Sequence, residues 1–194
     1  MSGNDVSQII AANPLITGGF FSAPLGTTLP TDATTSLGGS YIPLGYIGDN
    51  GITQTSQRKT TDVNAWGGDL VATLQDTFDV TLKLDFLQAL DADVKNAIFN
   101  TANVTVTAAT VSSGTEIQVL HNSKLLETRV WVIDSYYNTA NMRLAIPIGR
   151  IVEVGDIKYS QKELTAYNAT LKTFPDSAGN NIYEYDDDGV FAAT

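Results

Sequence analysis

The sequence predicts a mainly β protein with one short helix. Three observations carry this. Apolar and polar residues alternate with period 2 through much of the chain, as half-buried strands require. Thr and Val are abundant in those stretches, which suits a pleated surface. Helical periodicity, by contrast, occurs once.

The elements follow in order. Leu15 to Ser22 is a first strand. Residues 23–40 are rich in Pro, Gly, Thr and Ser and form a long exposed loop, a length that is usually functional. Tyr41 to Ile47 and Ile52 to Gln57 flank Asp49-Asn50-Gly51, a strong hairpin signal. Trp66-Gly67-Gly68 ends one extended segment and lets the next approach closely. Phe78, Val80, Leu82, Leu84 and Phe86 alternate with Asp79, Thr81, Lys83 and Asp85 in the cleanest strand. Leu90, Val94, Ala97 and Ile98 recur at helical spacing, with Asp91 as the cap and Asn100 as the stop. Val104 to Ala108 and Ile117 to Val119 are strands around the turn Ser112-Ser113-Gly114. Arg129 to Tyr137 is apolar on both faces, as a strand covered on both sides must be. Leu144, Ile146 and Ile148, then Val152 and Val154, then Ile157 and Tyr159 continue the alternation. Asp176 to Asn181 marks a last turn. The division is a β domain over 1–172, with an N-terminal arm and the loop 23–40, and an acidic hairpin or tail over 173–194.

Composition excludes several classes. The 194 residues carry 11 Lys plus Arg against 21 Asp plus Glu, a net charge of −10. That argues against a basic patch that neutralises phosphates. There is no Cys, hence no disulfide framework, cysteine zinc site or thiol nucleophile. The charged fraction of 16% and hydrophobic content of 43% suit a folded chain. No apolar run approaches the ~20 residues of a membrane span. No Lys or Arg precedes Arg58, so no signal peptide is expected and the protein is read as made in a cytoplasm. The charge is uneven: residues 173–194 hold five acids and no base.

A search for chemistry finds no nucleophile elbow, phosphate loop, H-E-x-x-H or dinucleotide fingerprint. The single histidine, His121, lies at a strand end with no nucleophile in its sequence context. Glu184, Asp186, Asp188 and Gly189 imitate the start of a calcium loop, but its twelfth position would be 195, past Thr194. No catalytic residue, metal or cofactor is assigned. Trp131 is assigned to the core, and Trp66 is divided between core and an intersubunit contact, since aromatics anchor interfaces.

The order of segments resembles a family. An early strand ends in Ala-Pro, and Pro30 to Ala33 form a Pro-Thr-Asp-Ala loop. Leu44-Gly45-Tyr46-Ile47, Asp49-Asn50-Gly51-Ile52, Arg58-Lys59 and Val63 to Gly68 follow, then a Phe-rich strand before a short helix. Over roughly residues 15–160 this resembles the major tail (tail tube) protein of phages with long non-contractile tails, especially those infecting actinobacteria. The resemblance implies two packed antiparallel sheets flanked by a helix, in a β-sandwich or barrel-like subunit. It implies homo-hexameric rings stacked into a tube that DNA traverses without specific binding, assembled in the host cytoplasm and resident in the virion tail. Tape measure, tail terminator and distal tail proteins are the implied partners. A long hairpin in this region contacts neighbouring subunits in the family, a role carried onto Leu44, Tyr46, Asp49, Asn50, Gly51 and Trp66. The loop 23–40 and the tail after Phe174 would be arms that order on assembly. A conduit should not bind its cargo, so an acidic or neutral wall is expected, with some of Asp76, Asp79, Asp85, Glu116 and Glu153 as candidates for the lumen.

Three rivals share the patterning, since fold alone does not give function. One is a monomeric or trimeric capsid-decoration or carbohydrate-binding module. The second is a tail terminator that forms a single ring. The third is an effector-tube homologue of the type VI system. Enzyme activity is the weakest alternative.

Overall fold

A computed structural model describes residue 4 and residues 9–15 and 19–191. The strands are β1 (Asn13–Pro14), β2 (Phe20–Pro24), β3 (Ile42–Pro43), β4 (Thr53–Asn64) and β5 (Leu70–Phe86) before the helix α1 (Ala92–Phe99). After it come β6 (Val104–Thr107), β7 (Glu116–Val119), β8 (Arg129–Tyr137), β9 (Ala140–Val154), β10 (Tyr167–Phe174) and β11 (Tyr183–Asp187). A nine-stranded sheet runs β3-β2-β8-β9-β10-β5-β4, with β1 beside β8 and β11 beside β9, and β6 and β7 form a small second sheet. All pairings are antiparallel. Of the first strand expected from sequence, residues 16–18 lie outside the described residues, and the strand seen is β2.

The alternation on β5 sets the core. Val80, Leu82, Leu84 and Phe86 are buried on one face. Ala169 and Leu171 of β10, Ile146 and Ile151 of β9, Trp131 of β8 and Phe20 of β2 join them in one cluster. Helix α1 closes this face with Val94, Ala97, Ile98 and Phe99. Asp91 caps it as expected, its side chain accepting from the Asp93 amide at 2.8 Å. Asn100, at φ 80°, ends it. Leu90 precedes the cap and stays exposed, outside the apolar stripe expected for it.

The large sheet curls. Phe20 and Phe86 stand on strands four places apart in the order, yet their ring centroids lie 5.7 Å apart. Residues 44–48 span the gap. The Leu44 amide donates to the Phe20 carbonyl at 2.9 Å, Ile47 bridges Phe86, and the Gly48 amide donates to the Asp85 carbonyl at 2.8 Å. This strap gives the sheet its barrel-like closure and covers backbone edges that would otherwise be open. Leu44 beneath it is fully buried.

The strap corrects one expectation. Gly51, at φ 64°, does make a turn, its amide donating to the Gly48 carbonyl at 2.9 Å. The segments flanking the turn do not pair with each other. Ile47 pairs with Phe86 and Thr53 with Lys83, so both lie along β5 and residues 49–52 are an excursion between them. The long apolar face of β5 outcompetes a local hairpin whose first arm is needed to close the barrel.

β8 and the first half of β9 are covered on both faces, as expected for β8. Opposite the helix side, Val130, Val132, Asp134, Arg143 and Ala145 are also buried. Arg143 donates there to the carbonyls of Asp32 and Thr35 in the loop after β2, at 2.9 and 2.8 Å. The loop 23–40 is therefore a fastened cover in the isolated subunit. Much of the acidic tail is likewise ordered, as β11 paired to residues 141–145 of β9. Ile157 and Tyr159 lie outside any strand, and Tyr159 is exposed. No helix among the described residues is long and apolar enough to cross a membrane.

Candidate assembly interface

The longest feature standing off the body is the β4–β5 hairpin. All of β4 is exposed, and β5 is exposed from Leu70 to Thr77. Beyond the Arg58–Phe78 pair, six residues of β4 extend the arm by roughly 20 Å at the usual strand rise. Arg58 anchors its base, stacking over the Phe78 ring at 4.1 Å and donating to Gln75 Oε1 at 3.1 Å. The tip is a tight turn. The Ala65 amide donates to the Asp69 carbonyl at 2.8 Å, the Gly68 amide to the Ala65 carbonyl at 2.9 Å, and Gly68 has φ 92°.

The register gives the arm its surface. Lys59 pairs with Thr77 but Thr60 pairs with Gln75, so Asp76 is an extra residue in β5. A bulge of this kind reverses the alternation beyond it. Leu74 and Ala72 are carried to the side opposite Val80 and Leu82, where they lie across from Thr61 and Val63. A second bulge follows at the tip, where Val63 pairs with Ala72 but Asn64 with Leu70, so Val71 is extra and Leu70 returns to the other side. Leu70, Val71, Leu74 and Trp66 are all exposed, on a structure too thin to bury them. Trp66 is 107% exposed. Cross-strand hydrogen bonds from Thr61 to Asp76 at 2.6 Å and from Thr73 to Asp62 at 2.8 Å stiffen the arm.

The structure separates the six residues expected to contact neighbours. Trp66 is at the arm tip, and Tyr46 is exposed on the outside of the strap. Leu44 is core, so it is removed from the contact set. Asp49, Asn50 and Gly51 belong to the excursion at the base of β4. Sequence reading missed Val63, Leu70, Val71 and Leu74. Their signal was an apolar run next to a Gly-Gly turn, which resembles an ordinary strand.

A second surface is the open sheet face of β5, β10 and β9, opposite the helix side. Asp79, Asp85 and Glu153 from the lumen candidates share it. Asp76 stands instead in the arm, and Glu116 on β7. Three cations that sequence reading did not select stand among those acids. Lys172 lies across from Thr81 on β5 and Arg150 on β9, and Lys83 lies across from Thr170, itself opposite Glu153. Lys172 Nζ is 2.6 Å from Asp79 Oδ1, Thr170 donates to Glu153 Oε2 at 3.2 Å, and Arg150 lies over the Phe174 ring at 5.4 Å. The face is balanced in charge.

The remaining chemistry is structural. His121 packs edge-on against Phe99 with centroids 4.7 Å apart. No group of three or more His, Cys, Asp or Glu among the described residues is placed to hold a metal ion. The Asp32 carboxylate, which accepts from the Thr35 and Thr34 amides, is lowered to about 2 by those hydrogen bonds. Asp176 is lowered mainly by the Tyr183 hydroxyl, which donates to it at 2.6 Å.

Fold and surface together define a class: a mainly β subunit with a core closed on itself and a hairpin arm that carries exposed apolar residues outside it. The phage tail tube protein family matches residues 1–188, and the chain belongs to that family. It is a structural protein of the virion tail. Among solved structures the chain is similar to the anti-feeding prophage cap (AFP tube terminating cap), with 9% identity and a TM-score of 0.43 over 91% of this chain and 94% of that one. No curated protein matches it.

Proposed function

We propose that this tail tube protein polymerises through its β4–β5 arm into stacked hexameric rings, forming a tube through which the genome passes. The observation that carries the reading is the arm. Exposed apolar residues scattered singly need no explanation, but Val63, Trp66, Leu70, Val71 and Leu74 clustered on one projection support a contact site there. The neighbouring copy is the proposed occupant, because the family builds a tube. Tape measure, tail terminator and distal tail proteins are the proposed partners at the tube's interior and ends, and the host cytoplasm is the proposed place of assembly.

The open face of β5, β10 and β9 is the proposed channel wall. A wall whose cations are matched by acids on the same surface offers DNA no free cationic row to hold it.

The test is a subunit in which residues 61–74 are replaced by Asn-Gly, joining Thr60 to Gln75 through a two-residue turn. Sedimentation velocity should show a folded monomer at concentrations where the full chain forms large polymers. Polymers of the shortened chain would overturn the arm's role. Removing residues 45–55 is no equivalent test, since it cuts the strap and exposes the core.

A further inference from the structure

Strands β10 and β11 lie along the same edge of β9, β10 against residues 148–154 and β11 against 141–145. Between them residues 175–182 leave the sheet in a turn built on Asp176. Its carboxylate accepts from the Ala178 and Asn180 amides at 2.9 and 3.0 Å and from the Tyr183 hydroxyl at 2.6 Å. This turn stands where the arm leaves the body. The pairing of β10 with β5 ends at Lys172 and Thr81, and from there β5 is paired with β4 alone. One side chain extends the tie. Thr173, 2% exposed, donates its hydroxyl to the Val80 carbonyl at 3.2 Å. The same oxygen accepts from the Asn181 side-chain amide at 3.0 Å, which fastens the turn to it. Beyond this point turn and arm separate. Gln75 and Phe78 on one side and Gly179, Asn180 and Ile182 on the other line an open cleft of about 500 Å³.

We infer that Thr173, held by Asn181, is a positioning residue that fixes the direction in which the β4–β5 arm leaves the body. The inference rests on the reading of the arm as the assembly contact. The cleft leaves the arm room to swing toward the turn, and the Thr173 bond sits where the β10 ladder stops holding it. An arm of roughly 20 Å turns a swing of about 10° at its base into about 3–4 Å at its tip. Interface cores pack as closely as protein interiors, so a displacement of that size misses the contact. An arm held in one direction also loses less freedom on association than a swinging one. A hydroxyl is required at position 173, because it must donate to one group and accept from another. An aliphatic side chain there leaves the Val80 carbonyl and the Asn181 amide without their partner.

The chain has no Cys, so two introduced cysteines take spin labels without background. Gly67→Cys places one at the exposed arm tip and Asp93→Cys the other on the exposed side of α1. Electron–electron distances in the full chain below its assembly threshold read the arm's direction, and pelleting of unlabelled variants reads the critical concentration. Thr173→Val removes the hydroxyl at nearly constant volume, Asn181→Ala frees the turn, and Thr173→Ser keeps the hydroxyl. Thr173→Val and Asn181→Ala should each broaden the distance distribution at least twofold and raise the critical concentration at least tenfold, while Thr173→Ser matches the parent in both. Asn181 is only partly buried, so its variant decides the matter if Thr173→Val fails to fold. Distributions as narrow as the parent's in Thr173→Val and Asn181→Ala overturn the inference, as does broadening with an unchanged critical concentration. Equal broadening in Thr173→Ser assigns the effect to packing and overturns it too. A freed arm in a chain whose wild type never polymerises supports the hold and overturns the tube reading.

Discussion

Trp66→Ala removes the largest side chain of the arm from a place where it touches nothing in its own subunit. Being 107% exposed, it contributes no core packing, so monomer stability should change by less than about 0.5 kcal/mol. In an interface the same side chain buries about 150–250 Å². At about 25 cal/mol per Å² that is roughly 4–6 kcal/mol before ordering costs. A central Trp truncated to Ala typically costs at least about 2 kcal/mol, and about 1.4 kcal/mol is a factor of ten. The critical concentration should therefore rise about 30-fold or more. Pelleting across a concentration series measures it, with a thermal melt of the monomer as control. The two tryptophans add a spectroscopic check. In a Trp131→Phe background, emission from Trp66 should shift to the blue as polymers form. An unchanged critical concentration, or a melting point lowered by several degrees, would refute the reasoning.

Three further outcomes are expected. Gly149→Ala would place a Cβ 2.6 Å from Trp131 Cδ1 and 3.0 Å from Leu171 Cδ1 in the closed core. It should destabilise the monomer by about 1–3 kcal/mol in a denaturant melt. Asp32 is depressed when folded, so its hold on the loop is complete above the usual carboxylate range and fades as pH falls through about 2. Limited proteolysis should show cleavage within 26–41 rising from about pH 4 downward, and the Asp32→Ala loop should already be open at neutral pH. Asp79→Asn leaves Lys172 without its partner on the proposed channel wall. Its tubes should retain labelled duplex DNA at low salt and release it as salt rises; retention equal to wild type would remove that face from the channel.

Local physics made some of this fold legible and long-range geometry concealed the rest. The alternation from Val80 to Phe86 and the Asp91 cap are local, and both are seen in the structure. Tyr167, Ala169, Leu171 and Thr173 alternate with Asn168, Thr170 and Lys172 in the same way, so β10 was legible in the sequence although it is absent from the expected strands. The arm's surface depends on one extra residue, Asp76, whose effect appears only when β4 and β5 are set in register. Asn50-Gly51 is a true turn signal, but its flanking segments pair with β5, and a dipeptide cannot announce that competition. The hold on the loop joins Arg143 to Asp32 across 111 positions. The sequence shows that loop only as polar and long, which is also how a free loop looks. Trp66 was divided between core and an intersubunit contact, and its exposure removes the core.

The central claim is self-assembly into a tube, and electron microscopy of the purified full-length chain across a concentration series tests it most directly. The expected result is long tubes of stacked rings with an open central channel, appearing above a threshold concentration. Dispersed monomers at every concentration, or single rings that never stack, would contradict it.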